Sequence, residues 1–185
     1  MKYSLSSFKI IDKNFPNFLY LREDERTCST IFMVKSRGKI LLIDSGDGLA
    51  SFSFEPDACI LTHAHYDHSR GVLPSWKNVY VHENEDSRLP YVEIPKNAKK
   101  VKDGKFKFEE YEFELTNTPG HTSGSMCIFE PKSGILFSGD TKFAHGGYGR
   151  TDLGGSDEAM EESLAKIEKI PYKILCPGHG EFERK

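Results

Sequence analysis

Residues 62–68 read Thr-His-Ala-His-Tyr-Asp-His and follow directly on the apolar run Cys59-Ile60-Leu61. His63, His65, Asp67 and His68 thus pack metal-binding side chains into one short stretch. A hydrophobic core cannot take them unpartnered, because each buried polar head needs a compensating bond. His63 and His65, alternate residues of an extended segment, point the same way and can grip one ion. Asp67 and His68 fall where the chain turns into a helix, and can address a second ion beside the first. Further candidates arrive in one manner: residues 115–120 lead to His121, 134–139 to Asp140 and 172–178 to His179. Each follows an extended or apolar segment and comes directly after a glycine, which lets the backbone bend sharply and pass close to an ion or substrate.

These histidines and aspartates are the donor mixture of a borderline cation, Zn²⁺ first, with Fe or Mn as alternatives. Two adjacent divalent ions, with one carboxylate bridging and solvent in the open positions, account for the ligand count. A structural zinc site is usually rich in Cys and closed, unlike this set. Two of the 7 histidines fall outside the pattern. His82, in Tyr80-Val81-His82-Glu83, reads as a structural or surface residue. His145, in Phe143-Ala144-His145-Gly146-Gly147, is a candidate for the pocket wall and not for a ligand.

Strands that could position these groups are expected at 17–21, 30–34, 39–43, 58–62, 78–81, 105–115, 125–130, 134–138 and 173–176. Residues 40–43 are apolar throughout, the pattern of a strand buried on both faces. In 105–115, charges alternate with Phe106, Phe108, Tyr111, Phe113 and Leu115, which predicts a half-buried hairpin with one solvated face. The clearest helix spans 157–170. Ser156 is its N-cap, Asp157 and Glu158 fill the first turn, Met160, Leu164 and Ile167 share one face, and Pro171 forbids continuation. A shorter helix is expected to start near Asp67 and stop by Pro74, and residues 44–60 to form a loop or a single turn. Sheets covered outside by such helices make a mixed α/β sandwich, with the site at one end of the buried strands.

A chain of 185 residues and 21.0 kDa suits a single domain over 1–185. A net charge of −3 disfavours nucleic acid as a partner, and no apolar run approaches the roughly 18 residues of a membrane span. A small-molecule substrate is the expected partner. Cys28, Cys59, Cys127 and Cys176 form no C-x-x-C pair. The last three lie in apolar runs, where free Cys acts as a small core hydrophobe. With no secretory signature at the N-terminus, a reducing cytoplasm is the expected compartment.

The ordered set His63-x-His65-x-Asp67-His68, His121, Asp140 and His179 resembles the metallo-β-lactamase-fold superfamily. That resemblance implies an αββα sandwich of two mixed sheets flanked by helices, with the active site at one edge. It also implies His63, His65 and His121 at a first metal site, Asp67, His68 and His179 at a second, and Asp140 bridging. Thr118-Pro119-Gly120-His121-Thr122, Ser138-Gly139-Asp140-Thr141, Gly149-Arg150-Thr151-Asp152-Leu153 and Pro177-Gly178-His179-Gly180 are most similar to small type II glyoxalases, the hydroxyacylglutathione hydrolases. The resemblance thereby implies thioester hydrolysis. Lactamases of the fold typically carry Cys at the position of Asp140. Larger glyoxalases II add a C-terminal helical domain, not expected here, and a tyrosine soon after the last metal-binding His. In this chain Gly180-Glu181-Phe182 follows His179.

In the mechanism so implied, a hydroxide bridging two ions attacks the carbonyl, Asp67 also positions the attacking water, and a thiolate leaves without a strong general acid. Arg150 has two readings, as a partner for a substrate carboxylate or as an ion pair holding its own loop. A mononuclear iron persulfide dioxygenase shares much of the motif set, a lactonase is a further alternative, and a metal-stabilised binding domain is the non-enzymatic one. Asp140→Ala is expected to abolish both metal binding and turnover. Full activity in that variant would sink the two-ion reading.

Overall fold

The computed structural model describes residues 2–22, 29–49 and 51–185, so Cys28 lies outside it. The chain begins with β1 (Lys2–Tyr3), β2 (Lys9–Ile10), β3 (Phe18–Leu21), β4 (Ile31–Ser36) and β5 (Lys39–Ile43). It continues through β6 (Ser51–Phe52), β7 (Ala58–Ile60), the short helix α1 (Tyr66–Ser69), β8 (Val79–His82) and β9 (Ala98–Val101). Next come β10 (Gly104–Phe108), β11 (Tyr111–Asn117), β12 (Met126–Glu130) and β13 (Ile135–Gly139). Helix α2 (Asp157–Ile167), β14 (Ile174–Pro177) and β15 (Glu183–Arg184) complete it.

The strands form a 7-stranded sheet in the order β2-β3-β4-β5-β7-β8-β9 and a 6-stranded sheet running from β10 to β15 in sequence order. Both are mixed. The larger is antiparallel up to β5 and parallel from β5 to β9, and the smaller has one parallel pair, β13 with β14. A short parallel pair, β1 with β6, stands apart.

Side chains alternate across each strand and so sort themselves between layers. Phe32, Val34, Leu41, Ile43 and Ile60 from one sheet meet Phe113, Leu115, Ile128, Phe137 and Cys176 from the other. Their neighbours in sequence, including Met33, Leu42 and Cys59, point to the opposite face of the larger sheet and pack with Phe52, Trp76 and Val92. On the smaller sheet, Cys127, Phe129, Leu136 and Leu175 pack under Ile167 and Tyr172. The result is the expected α/β sandwich, with few helices. Helix α2 covers the smaller sheet, whereas the larger one is covered mainly by irregular chain. Because that chain supplies Trp76 and Phe52 as inward anchors, a long helix is not needed there. No helix among the described residues is long and apolar enough to cross a membrane.

Several expected boundaries shift for physical reasons. The 105–115 run folds as the β10–β11 hairpin with Phe106 opposite Phe113. Its turn is made by Glu109, in the left-handed region at φ 53°, and Glu110. Lys105 and Glu112 pair across its solvated face at 2.6 Å. Helix α2 ends at Ile167, short of Ile170, since the residue before Pro171 is driven out of helical torsions. Ser156 caps it as expected, accepting from the Ala159 amide at 3.2 Å. Its buried face is Met160, Ser163 and Ile167, with Leu164 only half-buried. Ser163 is turned inward because its hydroxyl donates to the Pro119 carbonyl at 2.6 Å. Helix α1 is confined to four residues, and β6 is the only regular element among the described residues of 44–57.

Phe137 is fully buried, with its ring centroid 4.9 Å from that of Phe32 and 6.5 Å from that of Phe18. Phe137→Ala should lower the unfolding free energy by about 3–5 kcal/mol, read as a shifted midpoint in denaturant titration followed by circular dichroism.

Candidate metal centre

Strands β5 and β7 run parallel to each other, and so do β11, β13 and β14 within the other sheet. The chemistry gathers where these strands end. Beyond β7 the chain carries His63, His65, Asp67 and His68; beyond β11 it carries His121; Asp140 directly follows β13, and His179 follows β14. The Met126 amide donates to the Thr62 carbonyl at 2.8 Å and ties the two sheets together at this edge.

All seven residues named from the sequence come together. Donor atoms of His63, His65 and His121 lie within 4.8 Å of one another, as do those of Asp67, His68 and His179. Those of His63, His68 and Asp140 form a third such group, which sets Asp140 between the other two. His65 Nδ1 is 2.8 Å from His121 Nε2, and His179 Nε2 is 3.1 Å from Asp67 Oδ2. Asp140 Oδ2 is 3.5 Å from both His121 Nε2 and His179 Nε2. His63 Nε2, His65 Nε2 and Asp140 Oδ1 are buried and have no hydrogen-bond partner. Unpaired buried polar atoms are costly, and a shared cation is what this donor set fits.

The electrostatics support the same use for three of the rings. Burial pushes His63 well below the ordinary imidazole range, lowers His65 to about 4, and lowers His121, so these rings are neutral and offer lone pairs. Burial also acts to lower His68, but the Asp44, Asp67 and Asp140 carboxylates outweigh it and raise it well above the ordinary value. Burial acts to raise Asp140, yet the His68, His179 and His121 rings hold its carboxyl well below the usual range.

Sequence reading missed the residues that orient these donors. Asp44, in the left-handed region at φ 61°, ends β5 and is fully buried. Its Oδ1 accepts from the Thr62 amide at 2.7 Å, and its Oδ2 lies 2.8 Å from both Thr62 Oγ1 and His68 Nδ1. That contact turns His68 Nε2 toward Asp140 at 3.4 Å. An acid closing the apolar run Ile40–Ile43 was the available signal. Glu85 is also buried; its Oε2 accepts from the Ala64 amide at 3.2 Å and from Thr122 Oγ1 at 3.1 Å, joining the loops of His63, His65 and His121. His121 Nδ1 donates to the Arg150 carbonyl at 2.7 Å, leaving Nε2 for the cluster.

The glycines serve in two ways. Gly120 and Gly139 have φ of 142° and 51°, as bending requires. Gly178 is needed for space instead, since a Cβ there would lie 2.3 Å from Asp140 Oδ1 and 2.7 Å from His68 Cε1. His82 is buried 3.2 Å from Asp103 Oδ1, a structural residue as expected. His145 is exposed and does not line the pocket, because a left-handed turn at φ 58° carries it toward Glu181. Cys59, Cys127 and Cys176 are free and buried. Arg150 reaches the pocket wall, with its guanidinium held by both Asp152 oxygens at 2.7 and 2.6 Å.

The family model of the metallo-beta-lactamase superfamily matches residues 24–179. The chain belongs to that superfamily. BLEG-1, a B3 metallo-beta-lactamase, is similar in structure, at 26% identity over 84% of this chain and 88% of its own, with a TM-score of 0.66. TTHA1623, crystallised in a di-iron-bound form, gives 26% identity, 84% and 89% coverage and a TM-score of 0.66. A metallo-beta-lactamase from Pontibacter korlensis shares the fold over 96% of this chain and 92% of its own, at 18% identity and a TM-score of 0.73. In this superfamily member, Asp44→Ala is expected to weaken metal retention about 10–100-fold, measured by competition against a chromophoric chelator. Unchanged retention would remove Asp44 from its orienting role.

Proposed function

We propose that the protein is a metal-dependent hydrolase that cleaves a thioester, of a hydroxyacylglutathione or another acyl-thiol, with two divalent ions, Zn first and Fe or Mn as alternatives. His63, His65 and His121 would hold one ion, Asp67, His68 and His179 the other, and Asp140 would serve both. When bound, such ions supply Lewis acidity toward a carbonyl and lower the pKa of water to about 7. The chain's own residues do the remainder. Asp67, held at 3.1 Å by His179, lines the pocket and is placed to orient an attacking water. His63 and His68 are fully buried and keep bulk water from the far side of the cluster.

One observation carries the choice of a thioester. The pocket over the cluster measures about 540 Å³, and among the described residues no carboxyl or imidazole outside the cluster lines it. An amide or an alkyl ester would call for a proton donor to its leaving group, whereas a thiol of pKa about 8.5 departs as the thiolate. The likeness to a B3 metallo-beta-lactamase favours a second reading, lactam hydrolysis, and makes a chromogenic cephalosporin a needed control.

Anaerobic metal quantification joined to a thioester panel, including S-lactoylglutathione and coenzyme A esters, tests the proposal. Two ions per chain and oxygen-independent thioester cleavage are expected. A single iron with oxygen consumption would identify a dioxygenase instead. Loss of folding on chelation with no hydrolysis by the loaded protein would leave the ions a structural role.

A further inference from the structure

We propose that Tyr66 and Tyr91 form a pre-set aromatic subsite that selects substrates with an aromatic or bulky apolar acyl group. This assignment rests on the hydrolase reading for its turnover arm and on the pocket's geometry for its binding arm. Both tyrosines line the pocket beside His65, and their ring centroids are 6.3 Å apart. Tyr91 leaves 59% of its surface exposed, an unusual amount for a large ring beside a buried cluster.

The backbone that carries the Tyr91 ring is held in place. It stands in the left-handed region at φ 63°, which a bulky residue seldom adopts unless its surroundings impose it. The imposing contacts are on either side. The Tyr66 amide donates to the Tyr91 carbonyl at 3.0 Å, His65 and Val92 form a β-bridge, and the Glu93 amide donates to the Ala64 carbonyl at 2.6 Å. The same strap fixes Tyr66. The Arg70 guanidinium lies 4.9 Å over its ring and is itself clamped by Glu93 at 2.8 and 2.5 Å. The Tyr66 ring and the backbone that aims Tyr91 are therefore set before any ligand arrives, which reduces the entropy lost on binding.

The polarity of the wall decides what such rings would hold. Phe143 and Leu153 add apolar surface, and Arg150, the one cationic side chain among the described residues of the wall, is already paired with Asp152. Among these described residues a thiol carrying several carboxylates, such as glutathione, finds no free cation. An aromatic acyl group finds two ring faces and edges with which to stack.

The test uses the full, metal-loaded chain and two sets of probes. The first is a series of N-acetylcysteamine thioesters with acetyl, hexanoyl and phenylacetyl groups. The second is a pair of non-hydrolysable N-acetylcysteamine thioethers, S-methyl and S-(2-phenylethyl), read by calorimetry. The wild type should bind the phenylethyl thioether about tenfold tighter than the methyl one. Tyr91→Asn tolerates the left-handed backbone, and should bring that ratio within about twofold and raise KM for the phenylacetyl thioester about tenfold relative to KM for the acetyl thioester. Tyr91→Phe should retain the discrimination. Equal binding of the two thioethers by the wild type, or an unchanged ratio in Tyr91→Asn, overturns the subsite. Absence of turnover with every thioester overturns the hydrolase reading, while the thioether ratios still decide the subsite on their own.

Discussion

A buried carboxylate at the end of a central strand organises this edge of the molecule. Asp44 accepts from the backbone and hydroxyl of Thr62 and faces the ring of His68. It therefore ties the end of β5 to the segment leaving β7 and to the helix that follows. A carboxyl group at 0% exposure is tolerable only when its oxygens are matched, and here each match lies on the segment that carries candidate metal donors. Thr62 extends the tie across the sandwich, since its carbonyl receives the Met126 amide from the other sheet. The His68 ring is thus oriented through Nδ1, which leaves its Nε2 turned toward the cluster.

The dense packing around this edge explains why small residues recur there. Gly139 would bring a Cβ within 2.6 Å of Thr62 Oγ1, and Gly120 would press one against the backbone of Met160 in α2. Helix α2 accordingly does more than cover the smaller sheet. Through Ser163 and Met160 it holds the turn that delivers His121. The arrangement packs backbone close behind these turns and leaves Tyr66, Tyr91 and Arg150 on the open side of the cluster.

Much of this was legible in the chain itself. The clustered donors from His63 to His68, and the glycine-led His121, Asp140 and His179, announce themselves by residue type and spacing. Short apolar runs located most strands, period-two alternation the hairpin at 105–115, and the Ser156 cap the start of α2. Short elements such as β1, β6 and β15 escaped because two residues carry no periodicity. Asp44 and Glu85 escaped for a different reason. Each is one acid among many in the sequence, and only burial distinguishes a carboxylate that orients a donor from one that meets solvent.

What the sequence by itself determined is the inventory: which donors exist, which sandwich their strands build, and that the strand ends carry them. Tertiary structure alone decided which donors share a neighbourhood, how Asp140 comes to stand between two groups, and that Gly178 is required for space and not for torsion. It also decided that His145 turns away while Tyr91 faces the pocket. The physical reason is that spacing along a chain governs local direction, whereas burial and approach distances arise only when separate strands are packed. A pattern of residue types can name a chemistry, but the fields and contacts that tune it belong to the folded edge.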